Sequence, residues 1–206
     1  MKRGRFITLE GGEGAGKSTQ ARFIKSWLEA QGREVVLTRE PGGSPLAESI
    51  RKIVLAQWPE GMSPEAEVLL MFAARAAHVH ATIKPALLQG RDVVCDRFID
   101  SSHAYQGAGS GFSGEYLRQL EQMTLKGLQP DLTLVFDLDP RQGLERTCKR
   151  GEENRFEAAT LDYLQRVRAS FLERSGLQPG RYVVIDASLS VEQVQAGIVK
   201  ILETRL

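Results

Sequence analysis

Along the chain, short unbroken apolar runs alternate with stretches in which apolar residues recur every three to four positions. The runs Arg5–Leu9, Val35–Thr38, Asp92–Cys95, Leu132–Leu138 and Tyr182–Ile185 are rich in Val, Ile, Leu and Phe. They do not alternate with polar residues, which is the pattern of strands covered on both faces in a parallel sheet. Between them the period is helical. Phe23, Ile24, Trp27 and Leu28 form one stripe, ended near Gly32, and Ile50, Ile53 and Val54 form a second. Ser63-Pro64 reads as an N-cap followed by a first-turn proline. It opens a long helix through Val68, Leu69, Phe72, Ala76 and Val79, which Pro85 should kink or break before Gly90. Leu117, Leu120 and Met123 make another stripe, ended by Gly127. Asp139-Pro140 starts the next helix, and Leu161, Leu164, Val167 and Phe171 mark a further one. Ser190 with Gln193 resembles a capping box for a last helix that turns Val194, Ile198 and Ile201 inward. This alternation, with right-handed crossovers, predicts a three-layer α/β fold: a five-stranded parallel sheet flanked by helices. No repeat, low-complexity tract or linker divides it, so residues 1–206 read as a single domain.

Composition narrows the class without changing that picture. At 206 residues, 42% hydrophobic and 26% charged, the chain is long and apolar enough for one core, and disorder is excluded. Lys+Arg 27 against Asp+Glu 26 leaves a net charge of +1, so no nucleic-acid partner is expected. Cys95 and Cys148 have neither metal-ligand nor CxxC spacing, which suits a reducing compartment. The apolar stretch after Met1-Lys2-Arg3 covers only Phe6 to Leu9, too short for a secretory core, and no run of about 18 apolar residues follows. A cytoplasmic protein with no membrane partner is expected.

The first chemistry lies just after the first strand. Gly11-Gly12-Glu13-Gly14-Ala15-Gly16-Lys17-Ser18 matches G-x-x-x-x-G-K-[ST] in full, between a strand and an amphipathic helix. Such glycines let backbone N–H groups turn inward around phosphate oxygens, and the helix N-terminus adds its positive end. Lys17 is then expected at the β- and γ-phosphates and the Ser18 hydroxyl on Mg²⁺. Glu13 is out of place beside a polyphosphate: either it is solvated or it faces a second ligand.

Ligands of open parallel sheets bind at the carboxyl ends of strands, and charges cluster there. Arg39-Glu40 follows the second strand, then Pro41-Gly42-Gly43; Asp96-Arg97 follows the third. Asp137 and Asp186 end the fourth and fifth. Asp96 is the preferred Mg²⁺ neighbour because Arg97 adjoins it, with Asp137 the alternative. Arg146, Lys149, Arg150 and Arg155 surround Gly151 between two helical patterns. A solvated face would explain them, but beside a nucleotide loop the reading favoured is a mobile basic lid, within about 146–157, that closes over the γ-phosphate and excludes water. His78 and His80 stand roughly 200° apart on a helix and cannot share a metal. His103 has no partner evident from sequence.

These residues together resemble the bacterial thymidylate kinases, which phosphorylate dTMP to dTDP with ATP. Besides the P-loop, the likeness rests on Thr38-Arg39-Glu40-Pro41-Gly42-Gly43, Phe72-Ala73-Ala74-Arg75, and Asp96-Arg97-Phe98 with Ser101-Ser102 and Ala104-Tyr105-Gln106. It continues through Pro130-Asp131-Leu132 and Arg150-Gly151-Glu152 with Arg155-Phe156-Glu157, in family order over about residues 5–190. The resemblance implies a P-loop NTPase fold with a short basic lid, a homodimer, ATP and dTMP as partners, and Mg²⁺ held through Ser18 and Asp96. It implies an ATP site over Gly11, Gly12, Glu13, Gly14, Ala15, Gly16, Lys17, Ser18 and Thr19, with Arg146 packed on adenine. For the acceptor it implies Glu13 on the 3′-hydroxyl, Phe72 stacked on thymine, and Arg75 reading a base carbonyl. Phe72 alone would read as a core residue of its stripe. Arg39 and Arg97 would grip the acceptor phosphate, Ser101, Ser102 and Gln106 would lie beside the base, and Tyr105 would crowd the sugar 2′ position. Lys17, Arg97, Arg150 and Arg155 would be catalytic. Some members carry an arginine where this chain has Gly14; the bacterial type moves that cation to the lid. Cys148 and Phe98 depart from residues common in relatives.

Overall fold

The structure, a computed structural model, describes residues 3–148 and 160–206. Strands β1 (Phe6–Gly11), β2 (Val35–Arg39), β3 (Asp92–Asp96), β4 (Leu132–Asp137) and β5 (Tyr182–Asp186) form one five-stranded sheet. Its order is β2-β3-β1-β4-β5 and every neighbouring pair is parallel. All five unbroken apolar runs become strands. Only the inner three are buried almost throughout; at the edges Leu37 of β2 and Val184 of β5 are exposed.

Helices α1 (Lys17–Ala30), α2 (Pro45–Leu55), α3 (Pro64–His78), α4 (Lys84–Leu88), α5 (Ile99–Ser102), α6 (Gly114–Leu125), α7 (Pro140–Cys148), α8 (Leu161–Leu177) and α9 (Val191–Arg205) surround it. Successive strand residues point to opposite faces. Ile7, Leu9, Val94 and Leu134 therefore meet Ile24 and Leu28 of α1 and Ile198 and Leu202 of α9. Phe6, Val93 and Cys95 meet Val68 and Phe72 of α3, Ile83, Leu87 and Leu117 on the other side. These are the three layers.

The caps fall where the side-chain chemistry requires them. The Ser63 hydroxyl accepts from the Ala66 N–H with Pro64 in the first turn. Ser190 and Gln193 close a reciprocal capping box, and Asp139 accepts from the Arg141 N–H before α7. The long helix is interrupted ahead of Pro85, by a wider π-helical turn over Val79–Ile83. Pro85 offers no N–H and its ring would crowd the Ala81 carbonyl of a regular helix; the widened turn relieves both, and Pro85 enters the first turn of α4. Three members of the expected stripes lie outside the core: Ile53, Leu69 and Met123 are 43%, 58% and 64% exposed. Periodicity shows which residues share a face, and not what covers that face.

Candidate active site

The chain leaves β1 towards β2 and β3 on one side, then crosses to β4 and β5 on the other, so β1 and β3 flank the switch point. Their carboxyl-end loops build the site, as the sheet topology requires. After β1 the loop passes Gly12 to Gly16 into α1. Gly14 has φ +71°, and a Cβ there would overlap the Gly143 carbonyl of α7. An arginine at this position would be both strained and obstructed. Lys17, 6% exposed, donates from Nζ to the Gly12 carbonyl at 2.6 Å. Burial, then the nearby Arg97 charge, bring its pKa down to about 8. Ser18 donates from Oγ to Asp96 Oδ2 at 2.5 Å, so the hydroxyl and carboxylate expected to share a metal do meet. Asp137, the alternative, is engaged by Arg168 at 2.6 and 2.9 Å.

Across the loop stands Arg97. Its φ of +68° is strained for a residue with a side chain, a conformation that costs roughly 1–2 kcal/mol. Bonds on both sides hold it there. Its N–H donates to Leu9 O at 2.9 Å, and the next N–H, of Phe98, donates to Glu10 Oε1 at 2.9 Å. Glu10 is fully buried and also accepts from Ser101 Oγ at 2.6 Å. Burial and then the Asp100 charge push its pKa up to about 7. The Arg97 guanidinium reaches Gly11 O (2.9 Å), Ser101 Oγ (3.2 Å), Tyr105 Oη (3.0 Å) and Glu13 Oε1 (2.6 Å). Burial, the largest single influence, would lower the Arg97 pKa, but Glu13, Tyr105, Asp96 and Glu10 together outweigh it and the net shift is upward. Glu13 thus turns towards Arg97 and Tyr105.

Lys17, Ser18, Asp96, Glu13, Arg97 and Tyr105 line one cavity of about 300 Å³, together with Arg39, Ser101 and Gln106. Arg39 is exposed and paired with Glu48 at 3.2 Å. Gln106 donates from Nε2 to Glu67 at 2.7 Å, while its buried Oε1 has no hydrogen-bond partner among the described residues. Phe72 and Arg75 take a different place. Phe72, 2% exposed, packs in the core beneath the cavity, and Met71 supplies the lining atom. Arg75, 1% exposed, lies 4.9 Å from the Phe72 ring and donates to Glu40 (2.7 Å), Ser102 Oγ (3.0 Å) and Phe98 O (3.1 Å). Arg146 of α7 donates to Ala187 O at 3.0 Å and Gly14 O at 3.5 Å. Arg150 and Arg155, with most of the expected lid, lie outside the described residues.

Three features escaped the sequence reading. Arg51 lines the cavity and donates to Pro41 O at 2.7 Å. Its signal was present, since it falls on the face of α2 shared by buried Ala47 and Val54, four positions back and three ahead. Glu40, also lining the cavity, accepts from Arg75 and from His78 Nδ1 at 3.0 Å. His78 passes the network on to Thr38 Oγ1 at 2.7 Å, and Gly43, φ +83°, lies so close that a Cβ would strike its ring. The histidine that seemed idle in sequence anchors the Arg39 loop. His103 likewise has a partner, Glu121, at 2.8 Å.

A thymidylate kinase family model matches residues 9–198. The chain belongs to the thymidylate kinase family. It is 51% identical to the thymidylate kinase of Pseudomonas syringae pv. tomato over 199 residues, covering 97% of this chain and 95% of that one. Against the thymidylate kinase of Hahella chejuensis the identity is 47% over 206 residues, covering 100% and 99%. The crystal structure of thymidylate kinase from Ehrlichia chaffeensis superposes with a TM-score of 0.80 at 34% identity, covering 97% and 99%. The P-loop and three-layer sheet described above are therefore those of the thymidylate kinase fold. Among the described residues, no helix is long and apolar enough to cross a membrane.

Proposed function

We infer that this chain phosphorylates dTMP to dTDP, taking the γ-phosphoryl group of MgATP in line onto a dTMP phosphate oxygen. The observation that carries the reading is the single cavity with a P-loop at one end and Arg97, Arg39 and Arg51 at the other. Two phosphate tails can meet there, one on main-chain amides and Lys17, the other on guanidinium groups suited to bidentate contact. A phosphate dianion is already a nucleophile, so the site needs no general base. It needs alignment and neutral charge. Lys17 supplies a cation at the donor phosphates and Arg97 one at the acceptor, with Arg150 and Arg155 of the lid proposed to complete the set. Gly11 to Thr19 form the donor cradle, and Arg146, fixed between α7 and the Ala187 carbonyl, flanks the proposed adenine position.

The Ser18 hydroxyl and Asp96 carboxylate are hard oxygen donors already in contact, a pair suited to Mg²⁺, which takes few protein ligands and keeps water. Held by these two residues, Mg²⁺ would supply divalent positive charge beside the donor phosphates during transfer. On the acceptor side Glu13 is proposed for the 3′-hydroxyl and Tyr105 for the 2′ face of the sugar. Ser101, Gln106 and Met71 line the base end, while Phe72, Arg75 and Ser102 support it from beneath. A panel of dTMP, dUMP, dCMP, dGMP and TMP ribonucleotide with labelled ATP tests the reading. Turnover should be greatest with dTMP; a purine or ribonucleotide preferred over it would overturn the assignment.

A homodimer is proposed through the Ala-rich face of α3. Leu69, Ala73 and Ala76 lie along it, with exposed Ile53 of α2 and Met123 of α6 on the neighbouring helices. A second copy of the same face would cover these apolar side chains. The cytoplasm is the proposed compartment, since both cysteines are free.

A further inference from the structure

We propose that Tyr163 and Arg166 of α8 set the sugar selectivity of the acceptor site from outside the main cavity, by clamping the turn that carries Tyr105. Both are positioning residues, and the proposal rests on the reading of Tyr105 at the 2′ face of the acceptor sugar. A single hydroxyl is a small feature to recognise. A side chain that tells deoxyribose from ribose by crowding must be held closely in place, since a misplacement of about 1 Å can cost about a hundredfold in rate.

Tyr105 belongs to an element that does little to fix its own position. It lies in a second π-helical turn, His103–Gly109. Such turns are wider than an α-helix and are used singly, and the last carbonyls of a helical segment find no N–H further along it. Side chains of α8 take those carbonyls instead. Tyr163 donates from Oη to the carbonyl of Tyr105 itself at 3.2 Å. Arg166 donates from Nε to Ala108 O at 3.2 Å and from Nη2 to Gly109 O at 2.9 Å, so one planar fork grips two successive carbonyls. Its charge also meets the negative end of the turn.

Packing joins the two parts of the clamp. The Arg166 guanidinium stands 6.0 Å from the centre of the Tyr163 ring. That ring fills the space beside Gly109, where a Cβ would come within 2.7 Å of it. It lies 6.4 Å from the Tyr105 ring, and Phe171, two turns further along α8, meets Tyr105 edge-on at 6.2 Å. Helix α8 therefore holds Tyr105 by its main chain and by its ring. At the cavity the Tyr105 hydroxyl lies 3.0 Å from Arg97 Nη2 and 3.2 Å from Glu13 Oε1. The clamp thus fixes how far the ring reaches between those two groups, which is the distance that admits or refuses a 2′ oxygen.

The test compares kcat/KM for dTMP and its ribonucleotide counterpart in wild type, Arg166→Met, Tyr163→Phe, Tyr105→Leu, and Arg166→Met combined with Tyr105→Leu. Arg166 is exposed, so its loss opens no hole in the core. In Arg166→Met the deoxyribose-to-ribose ratio should fall about tenfold. The ribonucleotide should turn over faster and dTMP slightly more slowly, with KM for MgATP unchanged. General damage to the fold would lower both rates together and leave the ratio alone. Tyr163→Phe keeps the ring and loses one bond; it should lower the ratio about threefold, and it carries the test if Arg166→Met does not fold. Tyr105→Leu should also lower the ratio, and adding Arg166→Met should lower it no further. If Tyr105→Leu lowers the ratio but Arg166→Met and Tyr163→Phe do not, or if the double variant falls further, the clamp is overturned. A ratio unchanged in Tyr105→Leu, or a wild type that does not prefer dTMP, overturns the reading of the site on which the clamp rests.

Discussion

Lys17 shows what a buried charge costs and what it is for. Its ammonium lies within the loop at 6% exposure, and burial with Arg97 lowers its pKa to about 8. The free enzyme therefore loses this cation as pH rises through about 8, and kcat/KM for MgATP should fall across that range. Bound phosphates favour the charged form, so kcat should hold to higher pH. Lys17→Arg, whose charge does not titrate, should abolish the alkaline limb of kcat/KM although turnover is reduced. A pH profile of initial rates measures all three, and a limb unchanged in Lys17→Arg would assign the titration to another group. At this scale the sequence was partly legible. The loop residues, Asp96 and Arg97 stand next to strand ends, where proximity in the chain is proximity in space. Glu10, His78 and Arg51 were silent because their roles come from contacts across the fold, such as Glu10 to Ser101.

At the scale of elements, the P-loop and α7 meet in a close main-chain seam. Gly14 and Gly143 approach so closely that a Cβ on either would strike the other segment's main chain, the Glu13 carbonyl in the case of Gly143. The helix that leads into the expected lid is thereby fitted directly to the loop that cradles the donor. Gly143→Ala should displace Glu13 and lower kcat at least about tenfold, with an overpacking loss of about 1–3 kcal/mol in stability. Gly197→Ala in α9 meets nothing and should instead gain about 0.4–1 kcal/mol with activity intact. Urea denaturation and initial rates on the two variants distinguish a specific seam from a general intolerance; equal, small effects would dismiss the seam. Elements were the most legible level. Strand runs and caps such as Ser63-Pro64 act locally, so their chemistry is complete within a few residues. The π-helical turn has no sequence signature of its own: Pro85 signals the break, while the turn before it absorbs the strain.

For the whole molecule, Ile53, Leu69 and Met123 mark where a pattern of apolar residues meets solvent in one chain. If α3 pairs with its copy, Leu69→Glu should convert a dimer to a monomer in sedimentation velocity, without loss of the single-chain fold by circular dichroism. Wild type sedimenting as a monomer at micromolar concentration would dismiss the pairing. No stretch of one chain could distinguish this face from a core, because the difference lies in what a second copy covers. The same limit applies to the cavity, whose two ends come from segments as far apart as Glu13 and Gln106 and are joined only by the fold. Adenosine and thymidine joined through their 5′ oxygens by a polyphosphate bridge would span both ends at once. In steady-state inhibition this compound should compete with ATP and with dTMP alike, and Arg97→Ala should weaken it at least about a hundredfold. Competition against one substrate only, or equal affinity for the Arg97→Ala variant, would show that the two phosphate tails do not meet in this cavity.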